Sequence, residues 1–493
     1  MRRRAARAVV ALLALAMAVL AGCTAPSDET PEHEGPRAVG VQMFQWTWDS
    51  IAAECTSTLG PDGYAWVMTS PPQEHVLGEA WWTAYQPVSY QVESRLGTRE
   101  EFAAMVTACN EAGMEVYADA VVNHMTGIDD AAPPATGWAG STYTHYDYPG
   151  RYATEDFHRC GLTPDDDIAD YRSSLQVRTC ELVNLADLRT EEPAVCATIT
   201  AYLQDLVSLG VRGLRIDAAK HMVPEDIAAI LEPLPDDVEI IQEIIRGAGE
   251  PIVPEQYTGN GEVYEFAWGR DIIGMLQGGS LRSFADLDAG SGYLRSEFAR
   301  VFVDNHDTER NASTLSYTDG ASYVLANVLL LAGAYGTPVV YSGYAFSERD
   351  AGPPQDASGA VLDATCATPS GPGSSYDDGD RVCQHDWPAI AGMVGFHNTT
   401  VDTPVTNWWD DSRTIAFGRG EAGFVVVNKD DEPLEGTWTT SLPTGTYCDV
   451  FAGPMVDGEC AGESVEVADD GTFTTTVGAE AAVALHVAAV LAD

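Results

Sequence analysis

Eight short apolar runs recur along the chain, at residues 39–44, 64–70, 114–122, 211–216, 238–242, 263–266, 301–303 and 337–341. Polar loops and helix-like stretches separate them, and segments 99–111 and 193–209 are amphipathic at a period near 3.6. Strands that alternate with helices build a parallel sheet. Eight such units predict an α/β chain closed into a (β/α)8 barrel rather than an open doubly wound sheet. No GxGxxG or P-loop follows any of these runs, which argues against a nucleotide enzyme.

The rhythm breaks twice. Residues 124–189, between the third and fourth runs, are rich in Gly, Pro, Asp, Tyr and Thr and too long for an ordinary βα loop. They predict a small excursion domain at the mouth of the barrel. From about residue 401, apolar segments at 414–417, 424–427, 445–450 and 472–477 alternate with Gly, Asp and Pro turns, as in a separate antiparallel, sandwich-like β domain. Its Trp408, Trp409 and Trp438 suit sugar binding, although core packing is the ordinary use of such rings. The barrel is thus expected over 38–123 and 190–400, the excursion over 124–189 and the β domain over 401–493.

Residues 1–22 read as an export signal: MRRRAAR supplies a positive start, 9–20 an apolar stretch, and LAGC resembles a bacterial lipobox. Cys23 is then the lipidated mature N-terminus, and 23–37 a polar tether. The apolar stretch is too short to span a membrane stably. The expectation is an extracellular protein anchored to the cell surface only through the lipid on Cys23, with plain secretion as the alternative. In an oxidising compartment the other cysteines imply disulfides; 10 cysteines less Cys23 leave an odd number, so at least one is unpaired. No paired CxxC pattern suggests structural zinc. Asp and Glu total 74 against 26 Lys and Arg, a net charge of −48, which argues against nucleic acid or an anionic membrane as partner.

Three acidic residues fall where predicted strands end: Asp217 in GLRIDAAKH, Glu243 in IIQEI and Asp307 in FVDNHD. Arg215 lies two residues before Asp217; His124 closes DAVVNH and His306 precedes Asp307. Taken singly, Asp217 suits a helix cap paired with Arg215. Converging at the C-terminal face of a barrel, where βα loops gather catalytic groups, the set points to chemistry.

DAVVNH, GLRIDAAKH, IIQE and FVDNHD, in this order, resemble the conserved regions of glycoside hydrolase family 13, and within it the animal-type α-amylases. WWTAYQPVSY at 81–90, LQVRTCELVNLADL at 175–188 and NWWDDSRTIAFGRG in the last domain extend the likeness from about residue 39 to the C-terminus. The resemblance implies endo-hydrolysis of α-1,4-glucosidic bonds with retention. Asp217 would be the nucleophile, kept ionised by Arg215. Glu243 would be the general acid, its pKa raised by an apolar setting, and Asp307 would favour ring distortion. It implies sugar contacts from Trp81, Trp82, Tyr85, Gln86, His124, Tyr171, Arg215, Lys220, His221 and His306. It also implies a structural calcium ion on Asn123, Asp187 and the main-chain oxygens of Arg178 and His221. The pairings Cys55–Cys109, Cys160–Cys180, Cys366–Cys383 and Cys448–Cys460 follow from the same likeness, leaving Cys196 buried and free.

Two departures stand out. Chloride-activated relatives hold the anion with two arginines and an asparagine; Arg215 and Asn305 match, but the second arginine aligns with Val339, so no chloride requirement is expected and Arg215 should serve only Asp217. The glycine-rich loop expected after Asp307 reads TERNASTLSYTDG instead. The expected partner is an uncharged α-glucan acted on by a monomer. A maltooligosaccharide-forming amylase, a transglycosylase of the same family, or an inactive glucan-binding surface lipoprotein are the competing readings.

Overall fold

The eight runs form one closed parallel barrel, with strands β1 (Gly40–Met43), β2 (Trp66–Thr69), β3 (Glu115–Ala120), β4 (Gly213–Ile216), β5 (Glu239–Gln242), β6 (Glu262–Tyr264), β7 (Ala299–Phe302) and β8 (Thr337–Ser342). Each strand pairs with its neighbour in sequence, and β1 pairs with both β2 and β8 to close the ring. The computed structural model describes residues 37–491 apart from 288–289, 291, 367–370 and 457. The export signal, Cys23 and the tether up to residue 36 lie outside the described residues.

Local chemistry explains the element ends. Helix α1 (Arg99–Glu111) begins with a capping box, in which Thr98 and Glu101 satisfy each other's backbone N–H groups. Helix α2 (Pro193–Ser208) opens on proline, whose missing N–H costs nothing in a first turn. The sixth run was expected to reach residue 266 but stops at Tyr264. Glu265 accepts the Ala267 N–H at 3.1 Å and so caps the helix Phe266–Gln277. Gly213 is demanded by packing: a Cβ there would lie 2.4 Å from the Tyr117 ring, which stacks on Trp66 inside the barrel.

Segment 124–189 leaves after β3 and carries two short strands, Ala135–Thr136 and Thr142–Tyr143, and the helix Ser174–Thr179. Its core is aromatic, with Tyr143, Tyr146, Tyr148, Tyr152 and Phe157 buried. The C-terminal domain has an antiparallel sheet of β9 (Val405–Asp410), β10 (Thr414–Arg419), β11 (Gly423–Asn428) and β16 (Ala481–His486). Two strand pairs accompany it: β12 (Leu434–Thr439) with β15 (Thr472–Val477), and β13 (Gly445–Cys448) with β14 (Ser464–Val467). Trp438 is buried there against Phe473, and Trp408 stacks on Phe417 at 5.6 Å, whereas Trp409 is 42% exposed.

All four expected disulfides are present. Cys196 is the free cysteine among the described residues, but it is half-buried rather than buried because it sits near the open start of α2. Among the described residues no helix is long and apolar enough to cross a membrane.

Candidate active site

Strand register assembles the centre of the site. Arg215 pairs directly with Asp119 across β4 and β3, and Ile216 pairs with Gln242 across β4 and β5. The next residues, Asp217 and Glu243, therefore leave the sheet side by side. Their N–H groups donate to the carbonyls of Ala120 and Ile216, at 3.0 and 3.1 Å, and continue the ladder past the strand ends. Alternation along β4 puts Arg215 and Asp217 on one face.

The Arg215 guanidinium is buried among three carboxylates. Nη1 donates to Asp119 Oδ1 at 2.7 Å and Asp217 Oδ1 at 2.6 Å, and Nη2 lies 3.0 Å from Glu243 Oε2. This corrects the expectation that Arg215 serves Asp217 alone. With the chain closed into a barrel, a buried arginine meets acids from three neighbouring strands. Asp119, the first letter of DAVVNH, was missed; an aspartate inside a strand that otherwise reads as core was the available signal. It also accepts the Tyr85 hydroxyl at 2.9 Å, and burial pushes its pKa up to about 7 against the pull of Arg215.

Burial likewise raises Glu243, with Arg215 opposing and the nearby Asp217 and Asp307 charges adding to the rise. Ile241 and Ile244, both fully buried, supply that apolar setting. Glu243 Oε2 accepts the Ala218 N–H at 2.9 Å, made possible by left-handed backbone at Ala218, φ 49°. Asp217 is raised by burial and pulled back by Arg215. Burial works against the Arg215 charge, yet Asp119, Glu243 and Asp217 together hold it firmly protonated. Asp307 is the most open of the acids, its side chain 38% exposed. Asn305 Oδ1 accepts the N–H groups of Asp307 and Thr308 at 3.0 and 2.9 Å and starts the short helix α3 (Thr308–Asn311).

His306 is sandwiched between Phe44 and Tyr85, with ring centres 4.8 and 4.9 Å away. Its Nδ1 lies 3.1 Å from the Gln42 amide nitrogen, and its Nε2 is 3.5 Å from Asp307 Oδ2. Burial and then Arg215 hold this ring neutral. Burial also lowers His124 to about 4; its Nε2 donates to the Tyr85 carbonyl at 3.0 Å and its Nδ1 faces the Asn123 amide, so both ring nitrogens are engaged by the protein.

Asp217, Glu243, Asp307, His306, His124 and Tyr85 line a cleft of about 770 Å³, whereas Arg215, expected among the sugar contacts, is buried and is not part of its lining. One wall is the turn Trp81–Tyr85, where Trp82 is 39% exposed and Trp81 is fixed by its Nε1 donating to the Arg349 carbonyl at 3.1 Å. Gln86 beside it accepts the Gly127 N–H at 3.1 Å. Tyr171 stands on the other wall, edge-on to His221 and 5.3 Å from Lys220 Nζ. Lys220 donates to the Ile245 carbonyl and pairs with Glu250, a cleft residue missed in the sequence. Also missed was Val183, 76% exposed at the rim with φ 48°, a strained conformation for a β-branched side chain.

Of the four positions expected to hold calcium, Asn123 and Asp187 meet where the excursion joins the barrel, and His221 reaches the residue beside Arg178. Asn123 Nδ2 is 3.4 Å from Asp187 Oδ1, and Leu188 N–H donates to the Asn123 carbonyl. His221 Nδ1 donates to the carbonyl of Val177, next to Arg178. Asp187 is fully enclosed, and burial pushes it up to about 7, against the opposing pull of His158, whose Nδ1 is 2.7 Å away. An enclosed carboxylate beside an amide and main-chain carbonyls is a hard oxygen set of the kind calcium takes. A chloride site does not fit. Val339 is packed among Trp66, Tyr117, Tyr264 and Phe302 in an apolar cluster, where an anion would need a second cation.

Comparison with known proteins identifies the family. The family described as the α-amylase catalytic domain matches residues 67–265, and the α-amylase C-terminal all-β domain matches 408–488. An α-amylase from Streptomyces violaceus is 44% identical over 489 residues, spanning 99% of this chain and 80% of that protein. One from Thermomonospora curvata is 44% identical over 507 residues, with the same coverage. The crystal structure of α-amylase I from Eisenia fetida superposes with a TM-score of 0.85 at 34% identity, covering 92% of this chain and 98% of that one. A mutant of the same Eisenia fetida enzyme, solved as a maltohexaose complex, also superposes with a TM-score of 0.85. The chain belongs to the α-amylase family and is a glycoside hydrolase of the α-amylase type.

Proposed function

We propose that the chain is an extracellular, monomeric, endo-acting α-amylase that hydrolyses internal α-1,4 bonds of starch, glycogen and related glucans with retention. The observation that carries this reading is the single guanidinium that holds Asp217 and Glu243 together, at 2.6 and 3.0 Å. Retaining glycosidases use two carboxyl groups about 5–5.5 Å apart. Asp217 attacks the anomeric carbon and forms a new C–O bond as the glycosidic C–O bond breaks, while Glu243 gives its proton to the departing oxygen. Glu243 then takes a proton from the water that displaces Asp217. The rise in the Glu243 pKa favours the protonated form that the first step needs. Asp307 hydrogen-bonds sugar hydroxyls and favours the distorted ring. Trp81, Trp82 and Tyr85 stack on glucosyl units, a mode suited to an uncharged polymer.

Asn123, Asp187 and the main-chain oxygens of Arg178 and His221 would hold calcium, which supplies charge to the buried Asp187 and ties the excursion to the barrel. Activity needs no chloride. Cys23 carries the lipid that keeps the enzyme at the cell surface; Cys23→Ser should release it into the medium. The deciding experiment for the chemistry is reducing-sugar release from starch by wild type and by Glu243→Gln, with the first-formed anomer read by NMR. Activity only in the wild type, with the α-anomer appearing first, supports the reading. A β-anomer first, or an active Glu243→Gln, overturns it.

A further inference from the structure

Behind the cleft floor, α3 carries Arg310 into a cage of aromatic rings. Its Cζ lies 5.1 Å from the ring centre of Phe44, 5.5 Å from Trp81, 5.1 Å from Tyr344 and 4.2 Å from Phe346. Nη1 donates to the His306 carbonyl at 3.1 Å and pairs with Glu309, which also accepts the Tyr341 hydroxyl at 2.7 Å. Nε and Nη2 meet no acceptor among the described residues; ring faces surround them instead. Arg310 and Glu309 are both buried.

The cage forms two layers. Trp81 and His306 line the cleft, whereas Phe44, Tyr344, Phe346 and Arg310 do not and stand behind them. Phe44 stacks on His306, and His306 on Tyr85, whose hydroxyl reaches the Asp119 that shares Arg215. Arg310 also closes the turn that presents Asp307, since its i−4 bond to the His306 carbonyl sits one residue before that acid. One buried cation thus touches the back of the sugar platform and the backbone beside Asp307.

We propose that Arg310 is a positioning residue for hydrolysis: its planar guanidinium, caged by Phe44, Trp81, Tyr344 and Phe346 and bonded to the His306 carbonyl, holds the sugar platform and Asp307 in register with Asp217 and Glu243. The inference rests on the reading of the cleft given above. It reaches no substrate and acts through the rings and the turn. A lysine keeps the charge but concentrates it in a compact ammonium, which cannot spread beneath several rings while donating to the carbonyl. Misplacement of catalytic groups by about 1 Å costs on the order of 100-fold in rate.

The test compares wild type, Arg310→Lys and the double variant Glu309→Gln/Arg310→Met on maltoheptaose, with kcat and KM separated and thermal unfolding followed alongside. The double variant removes the ion pair whole, so no charge is stranded in the core. Both variants should lose about 10- to 100-fold in kcat/KM, with kcat lowered and KM raised, and lysine should not rescue. A purely structural role would lower Tm and leave kcat and KM of the folded enzyme alone. Wild-type constants in either folded variant overturn the proposal, and Arg310→Lys decides if the double variant does not fold. Wild-type activity is measured first: its absence sinks the reading of the cleft and this inference with it, whereas active wild type with unaffected variants sinks this inference alone.

Discussion

Arg215 and Asp119 stand directly opposite each other on β4 and β3, both buried, with Nη1 2.7 Å from Oδ1. The same guanidinium holds Asp217 and Glu243, so three carboxyl groups share one positive charge in a low-dielectric interior. They cannot all ionise cheaply, and the sharing sets which one keeps a proton.

Asp119→Asn keeps the shape but removes one claimant on Arg215. The guanidinium then acts more strongly on Glu243 and Asp217, which lowers both pKa values. Glu243 must be protonated to act, so the alkaline limb of kcat/KM should move to lower pH, with activity lost on that limb first. An unmoved alkaline limb would count against the sharing.

In the wild type, burial lifts Glu243 above its ordinary value of 4.5 while Arg215 restrains the rise. A raised carboxyl pKa keeps the acid protonated over a wider range, so the alkaline limb should lie above 4.5 and follow Glu243. The check is a pH profile of kcat/KM on a soluble maltooligosaccharide, where a limb at or below that value contradicts the assignment.

Calcium removal should lower Tm, because the excursion and the barrel meet around Asp187. Ligand binding to the folded state alone adds about 2.7 kcal/mol at 100 times Kd. Asp187→Asn, which withdraws the charged ligand, should show little calcium-dependent gain in thermal unfolding; a wild-type gain would mean the ion sits elsewhere.

Activity of extensively dialysed enzyme should be the same with and without added chloride. Val339 offers an apolar face where an anion would need a second cation. A saturable chloride activation curve is the outcome that refutes this.

Much of the site was legible because its residues fall in compact runs. GLRID, IIQE and FVDNH each combine an apolar strand with a polar terminus, and strand ends are where a barrel gathers its chemistry. Lys220 shows the limit. Its place in the cleft was expected, but its pairing with Glu250 depends on how the chain returns after β5. His158 was not anticipated beside Asp187, since nothing near it in sequence marks it as that carboxylate's partner.

The sequence by itself determined the alternating strands and helices, the break at 124–189, the disulfide pairs through the family likeness, and the three acids at strand ends. These depend on local periodicity and on short motifs. Only the tertiary structure decided that Arg215 serves three carboxylates, that His124 spends both ring nitrogens on the protein, and that Arg310 lies caged behind the platform. Those facts depend on which strand lies beside which, and on burial. Asp119 and Arg215 are 96 residues apart and meet only because β3 and β4 pair in one register. A shift of one residue would turn one of them out of the barrel.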